Sequence, residues 1–235
     1  MVVNTKKAWR RKNTRFTLCC LLPSLFLVLA FTVYPVLYAI YVSVHRFDFT
    51  LPGNPFVGLK NYIYVVTSYF FETSWRISAI FTISSVVITV GIATVLALIL
   101  NEKFRGVRLM QVIILLPWGI PLVVSGAMWK WIYHGTYGVL NGVLKQLGLI
   151  PSYVVWLSDP TYAIILLVNS YIWCSVSLPT LLLLTGLQSV PAELYEAAKV
   201  DGAGAVTRFR KITFKWLLPT YQMVFILSTL LALTH

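Results

Sequence analysis

The stretch that decides the fold is residues 78–100, SAIFTISSVVITVGIATVLALIL, in which 23 consecutive positions carry no charged side chain. An α-helix of about 20 such residues is long enough to cross the roughly 30 Å hydrocarbon core of a bilayer. Four further apolar runs accompany it, at residues 16–44, 107–133, 161–184 and 216–233. The sequence therefore predicts an all-α, polytopic membrane protein with about five transmembrane helices.

The composition supports this fold class and excludes two others. Of the 235 residues, 58% are hydrophobic and only 11% are charged. An ordinary soluble domain has about 25% charged residues, so this chain has too few charges to cover a water-exposed surface. A disordered chain is also excluded, because disorder requires low hydrophobicity.

The net charge of +12 has a membrane explanation. Basic residues cluster in the tail 1–15, in the loop after the second span and in the segment 188–215. Because cytoplasmic loops of membrane proteins are enriched in Lys and Arg, all three segments are predicted to lie in the cytoplasm, with the N-terminus. No nucleic-acid-binding motif accompanies the charge, so nucleic acid is not an expected partner.

Polar residues in the fourth span suggest a substrate path. Asn169, Trp173 and Ser177 recur every four residues and so share one helix face. Polar side chains at membrane depth usually face the protein interior or a cavity, and an aromatic ring beside an amide suits a sugar. Hydrogen bonding between helices is the alternative explanation, and the sequence leaves both open.

The segment 188–215 is too polar to span a membrane and predicts two short helices. Ser189 is a suitable N-cap, and Pro191 suits a position just inside a helix start. Gly202 is placed to end that first helix, and a second is expected over 203–211. Such an element either docks into a groove on a soluble partner or forms a passive amphipathic surface helix.

A resemblance favours docking. Residues 196–203, EAAKVDGA, resemble the EAA loop of the membrane subunits of binding-protein-dependent ABC importers. The pattern of that family is EAA, three residues, Gly, nine residues, Ile, one residue and Leu-Pro. The positions that match it in register are Glu196, Ala197, Ala198, Gly202 and Ile212. Phe214 and Lys215 stand where the family has Leu-Pro, which is a departure.

Further stretches resemble the sugar-type permeases of the maltose, trehalose and glycerol-phosphate systems, and specifically the first permease of the usual pair. They are residues 56–62 (FVGLKNY), 116–121 (LPWGIP) and 137–141 (YGVLN). The resemblance implies a helical bundle of the ABC importer type I permease, with the final helix of the family missing. The implied organisation is a basic cytoplasmic tail (1–15), a first transmembrane helix (16–44), an outer loop (45–74) and a core permease domain (75–235) that contains the coupling loop 188–215.

The resemblance also implies a function. The chain would be a permease subunit of the prokaryotic inner membrane that translocates a sugar or sugar-like solute. Its implied partners are ABC ATPase subunits, a second permease and an extracytoplasmic solute-binding protein. The residues implied to couple it to the ATPase are Glu196, Ala197, Ala198, Asp201, Gly202 and Ile212.

No enzymatic site is expected in this chain. It lacks the Gly-rich Gly-Lys-Ser/Thr phosphate loop and any credible catalytic triad or metal cluster. No cofactor is therefore assigned to it, and ATP would be bound by the partner ATPase. The alternatives are a truncated, non-transporting membrane remnant or scaffold, and a secondary transporter, which would need ionisable residues inside the spans.

Overall fold

The computed structural model describes residues 16–47 and 53–234, which fall into two compact units, Met1–Trp75 and Arg76–His235. The predicted basic tail, residues 1–15, lies outside the described residues. The described part is helical apart from turns, loops and one isolated bridge between His45 and Phe56, so the predicted all-α class is confirmed.

The first unit is dominated by helix α1 (Phe16–Ser43), which is apolar and has no side chain buried within the structure. A short helix, α2 (Lys60–Val66), follows in the segment predicted as an outer loop. The Asn61 amide donates hydrogen bonds to the carbonyl oxygens of Ser43 and His45, at 2.9 and 3.0 Å. These bonds tie α2 to the end of α1.

One continuous long helix, whose first residues belong to the first unit, and three bent helix pairs follow along the chain. Helix α3 (Tyr69–Asn101) is 33 residues long. The pairs are bent by 97°, 48° and 68° at breaks of four residues or fewer. The first pair is α4 (Val107–Leu115, with a 3₁₀ turn Leu116–Gly119) and α5 (Leu122–Ile132). The second is α7 (Pro160–Ser175) and α8 (Ser177–Gln188). The third is α10 (Ala205–Trp216) and α11 (Leu218–Leu233).

Two short helices lie between these pairs: α6 (Val139–Gln146) and α9 (Ala192–Val200). By length and composition, α1 and α3 are each able to cross a membrane, and the described chain has up to five spans if each bent pair counts as one. That count agrees with the five apolar runs of the sequence.

Proline explains the sharpest break. Pro117 and Pro121 have no amide hydrogen, and between them the helix becomes a 3₁₀ turn followed by extended backbone at Ile120. A proline removes one helical hydrogen bond and collides with the carbonyl four residues earlier, so the helix bends. The result is the 97° turn between α4 and α5.

Side chains from the fourth span satisfy carbonyls at this break. The Ser177 hydroxyl donates to the Ile114 carbonyl at 2.5 Å. The Cys174 thiol contacts the Pro117 carbonyl at 3.7 Å and the Ser125 hydroxyl at 3.1 Å. Irregular backbone at membrane depth requires such partners, because lipid supplies none.

The core of the second unit forms where α3, α8 and the α10–α11 junction meet. A Cβ built at Gly186 of α8 would lie 2.6 Å from Leu217 Cδ2 and 3.0 Å from Thr220 Oγ1. Small residues let membrane helices approach this closely. The buried apolar cluster consists of Ala93, Ala97, Leu100, Leu183, Leu184, Leu187, Leu217 and Val224.

The segment after α5 is organised by one buried amide. Asn141 is fully buried, and its Nδ2 donates to the carbonyls of His134, Gly135 and Val154 at 3.3, 3.1 and 2.9 Å. Its Oδ1 accepts from the Val154 amide at 3.1 Å and from Trp156 Nε1 at 2.9 Å. A single side chain therefore joins α6 to the strand-like stretch before α7.

Two predicted boundaries differ from the structure. Helix α3 begins at Tyr69 rather than at 78, because its first turns carry the exposed Glu72 and Arg76 and so escape a search for apolar runs. The second helix of the polar segment runs through Trp216 rather than ending at 211. The helix continues beyond 211 through a π-turn, Phe209–Thr213, which contains the basic residues Arg210 and Lys211 and in which Thr213 is buried.

Candidate functional site

Two adjoining cavities lie between α3, the α4–α5 break, α7 and α11. The first cavity, of about 300 Å³, also touches α8, and the second measures about 460 Å³. They share the residues Leu122, Tyr171 and Cys174. Sites for small molecules are typically concave, mostly apolar spaces of about 300–1,000 Å³ with a few placed polar groups, and both cavities fit that description.

Hydroxyl groups of α3 supply polar groups to both cavities. Thr89 lines the first cavity and Thr82 the second, and both residues are more than nine-tenths buried. Neither hydroxyl, nor that of Ser85 between them, has a hydrogen-bond partner within the part of the chain that the structure describes. Buried polar groups are rarely left unpaired, so Thr82 and Thr89 hold unused hydrogen-bonding capacity in the walls of the two cavities.

The lining of the cavities carries no formal charge. Among the described residues, no Asp, Glu, Lys or Arg lines either space. Aromatic and hydroxyl groups are present instead, with Trp118 and Ser228 in the first cavity and Tyr171 in both. Such a lining can make apolar contacts and neutral hydrogen bonds, but it offers no cation to pair with an anionic solute.

The predicted substrate face lies on the other side of α7. Asn169 Nδ2 donates to Tyr133 Oη at 2.9 Å, and the Trp173 ring meets that of Trp129 edge-on at 5.7 Å. Ser177 belongs to α8, beyond the bend, and is hydrogen-bonded to α4. All three therefore contact the third span, as the interhelical alternative expected, and none of them lines the two cavities of the described structure.

The cavity residues Tyr171, Cys174, Ser175 and Leu178 escaped the sequence reasoning. They recur every three or four residues on the opposite face of the same span, which is a detectable signal. The hydroxyls of Thr82, Ser85 and Thr89 recur in the same way on α3. Neither pattern by itself says which face meets a cavity.

The polar segment begins differently from the prediction. Ser189 is not the N-cap of α9: its backbone is helical, at the end of α8, and its hydroxyl donates to the Gly186 carbonyl at 2.7 Å. An N-cap residue requires extended backbone, which Pro191 supplies with a ψ of 130°. Pro191 therefore occupies the cap itself, and the helix begins at Ala192.

The predicted end of this helix at Gly202 is confirmed. Gly202 has a φ of +73°, the left-handed region that favours glycine. The Gly202 amide donates to the Lys199 carbonyl at 3.0 Å, and the Ala203 amide donates to the Ala198 carbonyl at 2.9 Å. These two bonds form a Schellman motif, which satisfies the last carbonyls of α9.

One contact sets the orientation of α9. The hydroxyls of Tyr195 and Thr213 lie 2.9 Å apart, so this side of the helix faces the rest of the second unit. Ala197 is two residues, or about 200°, further round the helix and faces away. Glu196 and Ala197 are exposed, and Val200 is 89% exposed.

The remaining members of the predicted coupling set flank this outward face. Asp201 is the C-cap of α9, and both it and Gly202 are exposed. Ala198 is half-buried on the inner side, and Ile212 is half-buried in α10. The structure thus presents an exposed face that includes the small residue Ala197 and is followed by a tight turn, on a helix that is held at one side.

Comparison with known proteins identifies the family. The family described as binding-protein-dependent transport system inner membrane component matches residues 88–235. The trehalose/maltose transport system permease protein MalF of Thermococcus litoralis is 38% identical over 213 residues, covering 91% of this chain and 72% of the relative. The sulfoquinovosyl glycerol transport system permease protein SmoG of Agrobacterium fabrum is 35% identical over 216 residues, covering 91% and 69%.

The fold has also been seen in an experimental structure. A chain of a bacterial ABC transporter involved in the import of the acidic polysaccharide alginate superimposes with a TM-score of 0.81 at 23% identity, covering 94% of this chain and 75% of the other. Together with the family match, the similarity to named permeases confirms the resemblance inferred from the EAA stretch. The chain belongs to the family of binding-protein-dependent transport system inner membrane components, the permease subunits of ABC importers.

Proposed function

We propose that this permease carries a neutral sugar, delivered by an extracytoplasmic binding protein, into a prokaryotic cell. The observation that carries the proposal is the pair of uncharged cavities beside the broken helices, lined by Thr82 and Thr89, whose buried hydroxyls have no partner among the described residues. A sugar offers many hydroxyls to such groups and C–H faces to rings such as Trp118 and Tyr171. Both cavities belong to the solute path in this proposal.

The charge of the cavities favours one class of solute among those of the relatives. The relatives are named for trehalose and maltose, for sulfoquinovosyl glycerol and for sn-glycerol-3-phosphate, and the structural neighbour imports an acidic polysaccharide. A sulfonate, phosphate or carboxylate is best recognised by Arg or Lys. Because no such residue lines the described cavities, a neutral disaccharide of the trehalose or maltose kind is the better fit.

The second part of the proposal concerns coupling. Helix α9 docks its outward face into a groove of an ABC ATPase subunit, where Ala197 and Gly202 permit close approach, while Ala198 leaves room for packing on the inner side. Glu196 and Asp201 make polar contacts there, and Ile212 packs behind the turn. In this proposal the loop and the N-terminus lie in the cytoplasm, because basic residues cluster in both.

The structure suggests how motion of α9 would reach the cavities. At its start, α9 follows α8, which contributes Leu178 and Pro179 to the first cavity. At its end it leads into α10 and α11, and α11 contributes Ser228 and Leu231. The Tyr195–Thr213 contact ties α9 to α10. A displacement of α9 would therefore pull on two walls of the first cavity.

The remaining partners complete the proposed machine. A second permease pairs with this chain to form the pathway, and the ATPase subunits bind the ATP. This chain itself holds no cofactor or metal in the proposal, and its role is that of a transport subunit. Neither a secondary transporter nor a non-transporting remnant is favoured by the family match.

Reconstitution tests the solute. The full chain would be co-expressed with its ATPase, second permease and binding protein, and uptake of trehalose and maltose would be compared with that of glycerol-3-phosphate. Replacement of Thr89 by Val removes a cavity hydroxyl at nearly constant volume. A lost hydrogen bond of about 1 kcal/mol raises the transport KM about fivefold.

The matched control for that variant is Ser85→Ala. Ser85 lies on the same helix with an equally unpaired, buried hydroxyl, but it lines neither cavity, so its loss should leave the KM unchanged. Uptake of glycerol-3-phosphate alone, or equal KM values for both variants, would contradict the proposed path.

A substitution on α9 tests the coupling. Ala197→Trp places a large side chain on the exposed outward face and should abolish uptake and stimulated ATP hydrolysis together. Ala197→Ser, which keeps the small size, should preserve both. If the Trp variant imports sugar at the normal rate, α9 does not dock into a close-fitting groove.

A further inference from the structure

A basic pocket of about 590 Å³ lies at the turn that joins α3 to α4, away from the cavities described above. Its charged lining residues are Lys103, Arg105, Arg108 and Glu102, so cations exceed anions by two. The glutamines Gln111 and Gln188 add neutral donors, the latter from the end of α8. The rest of the lining comes from residues 100–111, so Gln188 is the one contribution from a distant part of the described chain.

The turn directs these cations to one place. Gly106 has a φ of +96°, which reverses the chain between Arg105 and Arg108, and α4 starts at the next residue. Within the described residues, none of the three cationic side chains makes an ion pair or a hydrogen bond. Their donors are therefore available to a ligand from outside the chain.

The surroundings indicate which kind of anion fits. The pocket lies at the end of the membrane-length helix α3, where the polar headgroups of a bilayer begin. Directly beside it, α4 exposes Leu109 and Val112, which are 64% and 55% exposed. Acyl chains can cover these side chains while a headgroup phosphate reaches the cations, since basic residues near a membrane surface attract anionic lipids.

We propose that this basic pocket binds a phosphate group, supplied by the headgroup of an anionic phospholipid. The same chemistry would accept a soluble phosphate compound, and the experiment below separates these two sources. The inference does not depend on the identity of the transported solute.

The test uses the purified full chain in detergent, with native mass spectrometry to count bound dioleoyl-phosphatidylglycerol. The triple variant K103Q/R105Q/R108Q should bind this lipid at least about tenfold more weakly than the parent chain. The matched control, R210Q/K211Q/K215Q, removes the same charge from exposed positions outside the pocket and should bind normally. A thermal unfolding curve of each variant shows that the fold is retained.

Competition with inorganic phosphate identifies the source. Lipid that resists displacement by phosphate supports the headgroup, whereas ready displacement supports a soluble phosphate compound at the same site. Equal loss of lipid from both triple variants would show general attraction to the surface and would overturn the proposal. Unchanged lipid binding combined with loss of the ATPase from the assembled importer would overturn it as well, in favour of a protein contact.

Discussion

Replacing Asn141 by Ala should be among the most damaging small changes in the second unit. Its amide makes five hydrogen bonds from a fully buried position, and they join α6 to the segment that precedes α7. Alanine fits the helix but supplies neither donor nor acceptor. The substitution thus removes one contact centre without changing the backbone preference of α6.

The size of the effect follows from the groups that lose their partner. The amide of Val154 and the indole of Trp156 lose an acceptor, and three carbonyls lose a donor. A hydrogen bond contributes about 1 kcal/mol net, and an unsatisfied buried group costs about 1–3 kcal/mol. Since Val154 and Trp156 are only half-buried, water recovers part of the loss, and about 3 kcal/mol of unfolding free energy remains as the expected cost.

A thiol-reactive dye measures this cost. Cys174 is buried, whereas Cys19 and Cys20 are exposed, so in a C19S/C20S background the dye reports unfolding around α7. For a soluble domain of this size, 1 kcal/mol corresponds to about 2–4 °C in Tm, so Asn141→Ala should lower the Tm by roughly 6–12 °C.

Asn169→Ala is the internal comparison. Asn169 is exposed and its amide makes one hydrogen bond, to Tyr133, so its loss should cost about 1 kcal/mol and about 2–4 °C. Equal Tm values for the two variants would refute the reasoning, because the calculation rests on the difference in the number of buried hydrogen bonds.

Two further predictions concern glycines with a close neighbour. Gly138→Ala should strongly destabilise the chain, because its Cβ would collide with backbone atoms of His134, including the carbonyl that accepts the Gly138 amide. Gly142→Ala, four residues on, meets open space and should be neutral or stabilising, and a dye-detected Tm compares the two. Gly186→Leu should lower the unfolding free energy by several kcal/mol, because the new side chain forces α8 away from α11. Gly91→Leu should be tolerated, because no neighbouring atom outside its own helix backbone lies within 4 Å of the added Cβ. Similar Tm values for these two variants would show that α8 and α11 do not pack closely.

The helical architecture could be predicted from the amino-acid sequence. The charge-free run at 78–100 corresponds to α3, three of its companions correspond to α1 and the first two bent pairs, and the run at 216–233 corresponds to α11 of the third pair. Pro117 and Pro121 lie at the sharpest bend. These features are local, because the length of an apolar run and the chemistry of proline act within a single helix.

The polar loop was predictable in part. Gly202 ends α9 as its residue type suggested, since few other residues adopt a positive φ at low cost. The prediction of Ser189 as an N-cap was wrong, because serine also suits the end of α8, where its hydroxyl donates a hydrogen bond to the carbonyl of Gly186. A single residue can serve either helix end, and the backbone of its neighbours decides which one.

The sequence alone therefore determined the membrane helices, the family and the end of α9 at Gly202. Only the tertiary structure decided which face of the fourth span meets a cavity. Tyr171 and Cys174 line the cavity, whereas Asn169 and Trp173 contact the third span. Polar residues at helical spacing indicate that a helix face has polar partners, but a neighbouring helix and the water or solute in a cavity can both supply them. That choice depends on how α3, α5 and α11 pack around α7, and those contacts join residues far apart in the chain.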